Sequence, residues 1–437
     1  MTAGEETRSG RRPAAPAPAP ALNRTERGGD PMRILWVATK SPAPPSDGGR
    51  LLQLLTLEAL AARGALVTLV APADPPGAGA AAATDPAAPA VERLAASCTP
   101  RLVSAAAPSF LRALVSRQPF TIARHRRAAV AGEVARLLAG QRFDAVHAEQ
   151  LQALPQAEAA FERGVPVVLR AQNVESDLWR GMAAPAGIAT GGLRGRFAAR
   201  EARRLAAWEA RAAARAAVTV ALTADDAARL AALAGGGARI ERVPAPFPAE
   251  LPAAESPLPG APAVVLLGSG GWPPNRAAAR WFVAEAWPRM RAEVPGAVLH
   301  RFDGGPEAAG VVAHPPPADS RAAFAPGAVL AVPLAVASGV RMKILEAWAR
   351  GLPVIASPAA AAGLDAGDGR ELLLAEGAAG FAAALARLDR EPALAGRLVA
   401  AGRAALAARH YPAAVADRLL ALYRSAGAGA RPPIASA

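Results

Sequence analysis

The order strand, glycine-bearing loop, helix, strand occurs twice in this chain, and few folds accommodate that. "MRILWVAT" (32–39) is a short unbroken apolar run. It leads into the loop "KSPAPPSDGGR", the helix-spaced segment "LLQLLTLEALAARG" and a second apolar run, "ALVTLVAP". Short continuous apolar runs mark strands buried on both faces, as parallel strands joined through helices are. "FDAVHAEQ" (143–150), "VPVVLRAQN" (165–173) and "AVTVAL" extend the series, with a long Arg/Ala helix over 193–217 and a helix "TADDAARLAALAG". Thr223 is placed to cap that helix, with Asp225 and Asp226 in its first turn. The proline-dense stretch 241–262 then breaks the pattern.

After the break the order starts again. "AVVLLGSGGW" is a strand running into a glycine loop. "NRAAARWFVAEAWPRMRAEV" is a helix with Trp281 and Trp287 at core spacing, and "AVLHRFDGG", "GAVLAVPL" and "LPVIAS" are strands. Helices follow over 379–408 and 411–425. The expected fold class is α/β, with two Rossmann-like doubly wound domains facing across a cleft and ligands bound off the carboxyl ends of the strands. The expected organisation is a disordered leader over 1–31, a first domain over 32–245, a second over 246–410, and a last helix and tail over 411–437. Residues 74–90, rich in Ala, Pro and Gly, are expected to form a loop.

Composition narrows the function. The chain has 437 residues and a net charge of +13, from 49 Lys+Arg against 36 Asp+Glu. A positive surface suits phosphates, acidic lipids or nucleic acid; an Arg-rich coding bias accounts for it equally well. Nucleic acid is disfavoured because the basic residues are not interleaved with aromatics and form no recognised module. A lone Cys98 excludes an internal disulfide and a cysteine zinc site. The histidines lack metal-motif spacing, so no metal site is expected. No apolar run reaches membrane-spanning length, and residues 1–31 lack a signal-peptide core. A cytoplasmic protein is expected.

The stretch "SGVRMKILEAWARGLPVIAS" (338–357) is the most informative. Arg341 and Lys343 follow Gly339 in what is expected to be the first turn of a helix, where the dipole disfavours cations. A nucleotide diphosphate seated among them would neutralise them, with backbone N–H groups helping. Glu346 follows one turn on; a plain Lys343–Glu346 ion pair would contribute only about 0.3–0.5 kcal/mol and leave the arginine unexplained. In the loop "GSGGWPPN", Gly270 and Gly271 would admit a ligand close to the backbone, while Asn275 fits the role of helix cap. Gly48, Gly49 and Arg50 after the first strand would let an anion approach the next helix start, or form an ordinary turn. His147, Glu149, Gln172, Asn173 and Glu175 stand at strand ends and are expected to face the cleft, though Glu175 also fits a helix start. No G-x-G-x-x-G follows the first strand, which disfavours a nicotinamide dehydrogenase.

The 338–357 block resembles the nucleotide-sugar site of GT-B glycosyltransferases of family 4. "GSGGWPPNRAAARWF" and "LRAQNVESDLWR" resemble the branch found in exopolysaccharide loci, and the resemblance spans roughly 32–425. The family carries two glutamates eight positions apart in that block. The second, a ribose ligand, matches Glu346; the first falls on Ser338. Where the branch tends to have His-Asn-Val-Glu, this chain has Gln172-Asn173-Val174-Glu175, and of an earlier His-x-His only His147 remains, with Glu149 at the second position.

The resemblance implies a retaining hexosyltransferase moving a sugar from a nucleotide-diphosphate sugar, its co-substrate, to a glycan or lipid-linked polysaccharide. It needs no cofactor or metal if Arg341 and Lys343 stabilise the leaving diphosphate. Glu149 would join them as a catalytic residue. Gly339, Glu346, Gly270, Gly271 and Asn275 would bind the donor. Gly48, Gly49, Arg50, Gln172, Asn173 and Glu175 would line the acceptor side, and the last helix would cross back to the first domain. The Arg-rich stretch "LRALVSRQPFTIARHRR", with Phe110, Leu111, Phe120 and Ile122, would dock on an anionic inner-membrane face. Rival readings are a non-catalytic protein of the same fold that binds a nucleotide sugar or glycan, and a nucleotide-sugar epimerase.

Overall fold

The buried apolar runs assemble into two separate sheets, every strand pair of which is parallel. The computed structural model describes residues 30–74, 88–184, 192–268, 272–306, 308–317 and 319–428. The first sheet holds β1 (Arg33–Val37), β2 (Leu66–Pro72), β3 (Thr99–Val103), β4 (Ala145–Glu149), β5 (Val167–Ala171), β6 (Val218–Ala221) and β7 (Ile240–Arg242), in the order β3-β2-β1-β4-β5-β6-β7. The second holds β8 (Ala263–Leu267), β9 (Val298–Phe302), β10 (Val311–Ala313), β11 (Val329–Val332), β12 (Val354–Ala356) and β13 (Leu373–Leu374), in the order β10-β9-β8-β11-β12-β13.

Both sheets reverse direction of growth beside their first strand, at β1/β4 and at β8/β11. Loops leaving such a pair of strands diverge and open a crevice at their carboxyl ends. Among the described residues the segments placed there are 38–47 and 150–157 on the first sheet and 333–341 on the second, and the sequence singles out the loop from Lys40 and the turn at Ser338–Arg341 among them.

The chain crosses between the sheets twice, and the two crossings are tied together. The Phe247 N–H donates to the His410 carbonyl at 2.8 Å, and His410 Nδ1 donates back to the Ala245 carbonyl at 2.8 Å. The helix Pro412–Ala428 then lies on the first sheet. Its Val415, Leu419 and Tyr423 share one core with Trp36, Leu57 and Leu60. The described residues from Met32 onward form a single compact unit.

Of the leader expected over 1–31, residues 1–29 lie outside the described residues, as do 75–87 of the expected 74–90 loop. That loop ends early, because Ala88–Ser97 is helical.

Candidate active site

The 338–357 block starts at a turn and ends in β12. The helix Met342–Arg350 has Arg341 as its N-cap residue, so Lys343 alone of the two cations lies in the first turn. Lys343 donates Nζ to the Leu267 carbonyl at the end of β8. There it lines a pocket with Gly268, Asn275, Asp303 and Leu334. Burial pushes the Lys343 ammonium down to about 8, and Arg341 adds to the effect. Burial pushes Arg341 down to about 10, with Asp226 partly offsetting it. Among the described residues neither cation has a carboxylate within ion-pair distance. A buried arginine beside a half-buried lysine, neither with a bonded counter-charge among the described residues, makes a site poised for an anion. The amides of the turn contribute less than expected: the Gly339 N–H is held by Asp226 at 3.0 Å and the Met342 N–H by the Val340 carbonyl at 3.1 Å.

Glu346 is buried one turn on. Its Oε1 accepts from Ser320 Oγ at 2.6 Å and from Arg350 Nε at 2.9 Å. Its partner is therefore Arg350 at i+4, not Lys343. Burial raises its carboxyl, against the pull of Arg350 and Ser320. Asn275 is not a cap. The helix begins at Pro273, after Trp272, which leaves Asn275 in the first turn with its side chain against Gly268; a Cβ at 268 would lie 3.0 Å from Asn275 Cγ. Gly270 and Gly271 lie outside the described residues.

On the first sheet the picture departs from expectation. The helix start at Gly48–Gly49 is not open to an anion. Asp47 caps the helix by accepting from the N–H groups of Gly49 and Arg50, both at 2.9 Å. Burial works to raise the Asp47 carboxyl, but Lys40 and Arg50 hold it below its usual range. Arg50 is committed to Asp74, at 2.7 and 2.9 Å. An anion would meet a carboxylate there, so these residues shape the loop rather than bind charge. Gly48 serves packing across the cleft, where a Cβ would lie 3.2 Å from Met342 Cβ.

His147 and Glu149 do not face the cleft. Both are wholly buried and belong to one hydrogen-bonded network. Tyr423 O–H donates to His147 Nδ1 at 2.8 Å, and His147 Nε2–H donates to Glu149 at 3.1 Å. Arg170, in register with Glu149 on the neighbouring strand, donates Nε to both its oxygens at 2.9 and 3.1 Å, and Nη1 to Thr56 Oγ1 at 2.8 Å. The Glu149 carboxyl is thus held at about 2: burial alone would raise it, and Arg170 with His147 outweighs burial. Burial pushes His147 down to about 4, which keeps it neutral at pH 7. Glu149 therefore offers no lone pair to a substrate.

What Glu149 does is orient Gln172. Gln172 Nε2 donates to Glu149 at 2.6 Å, which turns Oε1 toward Gln150 Nε2 at 2.7 Å, and Gln150 Oε1 accepts from Thr39 Oγ1 at 3.0 Å. Gln150 sits at φ 70°, a left-handed conformation rare for a residue with a side chain and frequent at functional sites. Sequence alone assigns no role to Gln150, Lys40 or Thr39, although Thr39 and Gln150 end predicted strand segments and Lys40 follows one directly.

Glu175 is the first residue of the helix Glu175–Ala183, and its N–H donates to Glu209 at 2.6 Å. Burial raises both carboxyls, Glu209 to about 7, while Gln152 and Asn173 partly offset the effect at Glu175. Asn173, with its amide turned so that both atoms find partners, donates to the Gln172 and Ser338 carbonyls at 3.1 and 2.8 Å. Gln172 and Asn173 therefore adjoin the turn that leads to Arg341, Glu175 lies beyond them in its helix, and Glu149 and His147 stand behind.

The family described as "Glycosyl transferase 4-like domain" matches residues 48–246, and the one described as "Glycosyl transferase-like" matches 276–421. The chain therefore belongs to the glycosyltransferases, and its two parallel sheets are those of the GT-B fold. Among solved structures it is similar to sucrose-phosphate synthase from Thermosynechococcus elongatus (16% identity, TM-score 0.68, covering 91% of this chain and 100% of that one). It is also similar to HepE of Anabaena, solved with UDP-glucose (14%, TM-score 0.56, 90% and 100%), and to a glycosyltransferase from Rickettsia africae (10%, TM-score 0.58, 91% and 99%). At these identities the likeness extends to the fold. No curated protein matches the sequence.

Proposed function

We propose that this glycosyltransferase is a retaining, metal-independent family 4-type enzyme that moves a hexose from a nucleotide-diphosphate sugar to a glycan or lipid-linked polysaccharide acceptor in the cytoplasm. The observation that carries the reading is the pair of buried Arg341 and half-buried Lys343 at the carboxyl end of the second sheet, with no carboxylate bonded to either among the described residues. As the bond between the sugar C1 and the diphosphate oxygen breaks, negative charge builds on that oxygen. Fixed cations in a dry site stabilise such charge more than the ground state. The acceptor oxygen takes the place of the leaving group on C1, and its proton passes to the departing diphosphate. Retention is supported by the resemblance of the 338–357 block. A uridine donor is the first to test, because the Anabaena relative was solved with UDP-glucose.

The test is a binding panel of UDP, GDP and ADP with their sugars, followed by donor hydrolysis and transfer assays with and without a chelator. NMR of the product then reads the anomeric configuration. Expected are tight binding of one nucleoside diphosphate, an unchanged rate in chelator and a retained anomer. Binding with no turnover of any sugar would favour a binding protein of the same fold.

The resemblance implies that Glu346 binds the ribose, and the geometry is compatible with it: Ser320 and Arg350 both occupy Oε1 and leave Oε2 for a hydroxyl. Glu346→Gln is expected to weaken ribonucleoside diphosphates by about tenfold, the scale of one charged hydrogen bond. It should leave 2′-deoxy analogues nearly unaffected. Equal losses for both would make Glu346 a structural partner of Arg350.

Docking at the inner membrane face is proposed for the surface around the helix Phe110–Leu114. Phe110, Leu111 and Val115 are exposed, by 58%, 71% and 81%. The neighbouring Arg112 and Arg117 are exposed too. Ile122 is not part of this surface, being fully buried in the first domain's core, and Phe120 is wedged between Phe110 and Phe197. Each surface cation near an anionic bilayer contributes about 1 kcal/mol. The protein is expected to sediment with anionic vesicles at low salt and to release at high salt. Leu111→Asp should abolish sedimentation, and equal partitioning onto neutral vesicles would overturn the proposal.

A further inference from the structure

The turn that delivers Arg341 is held from the opposite domain. Asp226, in the first turn of the helix Ala224–Ala234 that follows β6, accepts from Ser338 Oγ at 2.9 Å and from the Gly339 N–H at 3.0 Å. The Ser338 hydroxyl in turn accepts from the Val174 N–H at 2.8 Å, so one side chain joins two segments of the first domain. Asn173 adds its bond to the Ser338 carbonyl. Gly339 sits at φ 72°, and a Cβ there would lie 2.1 Å from the Gln172 carbonyl oxygen, so no side chain fits while this contact is made. Asp226 is buried, and the N–H of its own residue is satisfied by Thr223 Oγ1 at 3.0 Å. Its carboxylate is therefore not needed to cap its own helix.

We infer that Asp226 is a cross-domain positioning residue, which with Ser338 sets the 338–341 turn and thereby the place of the Arg341 guanidinium in the donor site. The inference rests on the donor-site reading only for its consequence; the clamp itself is a property of the unliganded protein. Ser338 is suited to it as a small hydroxyl that donates to Asp226 and accepts from Val174 at once. A longer acidic side chain at 338 would meet Asp226 with like charge.

The sign of one substitution separates positioning from mere proximity. A carboxylate near Arg341 repels a diphosphate, so if Asp226 acted only through its charge, Asp226→Asn would tighten binding. If it positions the turn, Asp226→Asn weakens binding, because a neutral amide replaces two charge-assisted bonds and its nitrogen, turned to Ser338, takes away the acceptor of the Ser338 O–H. With UDP, GDP and ADP as probes, Asp226→Asn is expected to raise Kd by about tenfold. In transfer it should raise the donor KM by a similar factor, with kcat changed much less. Ser338→Ala should give a similar loss, and the double variant no more than the larger single one, since both remove one unit.

Hydrogen exchange on the unliganded protein provides a readout free of donor chemistry. Amides over 336–342 should exchange faster in Asp226→Asn and Ser338→Ala, with 224–234 unchanged. Unchanged exchange over 336–342, or tighter nucleotide binding in Asp226→Asn, overturns the clamp. Wild-type protein that binds none of the three nucleotides overturns the donor reading instead, and the exchange data then decide the clamp alone.

Discussion

Arg170→Met is expected to destabilise the protein by about 3–5 kcal/mol at pH 7, the scale for removing one partner of a buried ion pair. Arg170 is 1% exposed and makes its bonds to Glu149 and Thr56 in the core, with its guanidinium 5.1 Å from the Trp36 ring centre. Methionine fills much of the same volume, so the loss is mainly electrostatic: Glu149 remains, wholly buried, with only His147 and Gln172 beside it. The pH dependence has a definite sign. Glu149 is held at about 2 in the folded protein, below its ordinary value of 4.5, so the pair's contribution is full above that value and fades as pH falls from there toward 2. In Arg170→Met the carboxyl rises instead, and the deficit against wild type should shrink as pH is lowered from 7 to 4. Arg170→Met/Glu149→Leu should recover much of the loss, since a buried pair replaced by apolar groups is often neutral. Urea unfolding of the three proteins at pH 7 and pH 5 checks this. A single-variant deficit below about 1 kcal/mol, the scale of an exposed pair, would mean the network is solvated and not structural.

That network marks where sequence stops being informative. The doubly wound plan was legible because β1, β2, β5 and β8 are apolar runs of the right length between glycine loops. The edge strands were not: β3 reads Thr-Pro-Arg-Leu-Val and is almost wholly exposed, and β7 reads Ile-Glu-Arg. Such strands carry little apolar pattern, because only one neighbour and little core depend on them. Polar strand ends were expected to face the cleft, but a polar group in a buried strand can equally be paired sideways. The signal was present in the alternating signs of Glu149 and Arg170, which fall in register on adjacent strands. The Asp47 cap likewise hid in plain sight as the residue before Gly48, where Asp is a favoured helix cap. Asp226 was legible only as a first-turn acid. Its bonds to Ser338 and Gly339 span more than a hundred residues and depend on how one sheet meets the other.

The helix start at Arg341 and Lys343 yields the other large effect, and its pH dependence identifies which cation is involved. Each charged phosphate contact contributes about 1.5–3 kcal/mol. Arg341→Ala and Lys343→Ala are each expected to weaken nucleoside-diphosphate binding by about ten- to a hundredfold or more. The two share one ligand, so their losses need not add. In the free protein burial, with Arg341 nearby, depresses the Lys343 ammonium to about 8, whereas a bound diphosphate favours the charged form and returns it upward. Binding above pH 8 must therefore take up a proton at Lys343. The phosphate ligand is already fully ionised there, its last pKa being about 6. Wild-type affinity should accordingly be flat from pH 7 to nearly 8 and then fall with a slope approaching one log unit per pH unit. Arg341→Ala should keep that slope but shift its onset to higher pH, because one of the two groups that depress Lys343 is gone. Lys343→Arg should abolish the slope, since arginine stays charged throughout. Calorimetry in two buffers of different ionisation enthalpy measures the proton uptake directly. A wild-type affinity independent of pH between 7 and 9.5, or full affinity in Lys343→Ala, would remove the lysine from the diphosphate site and leave Arg341 alone there.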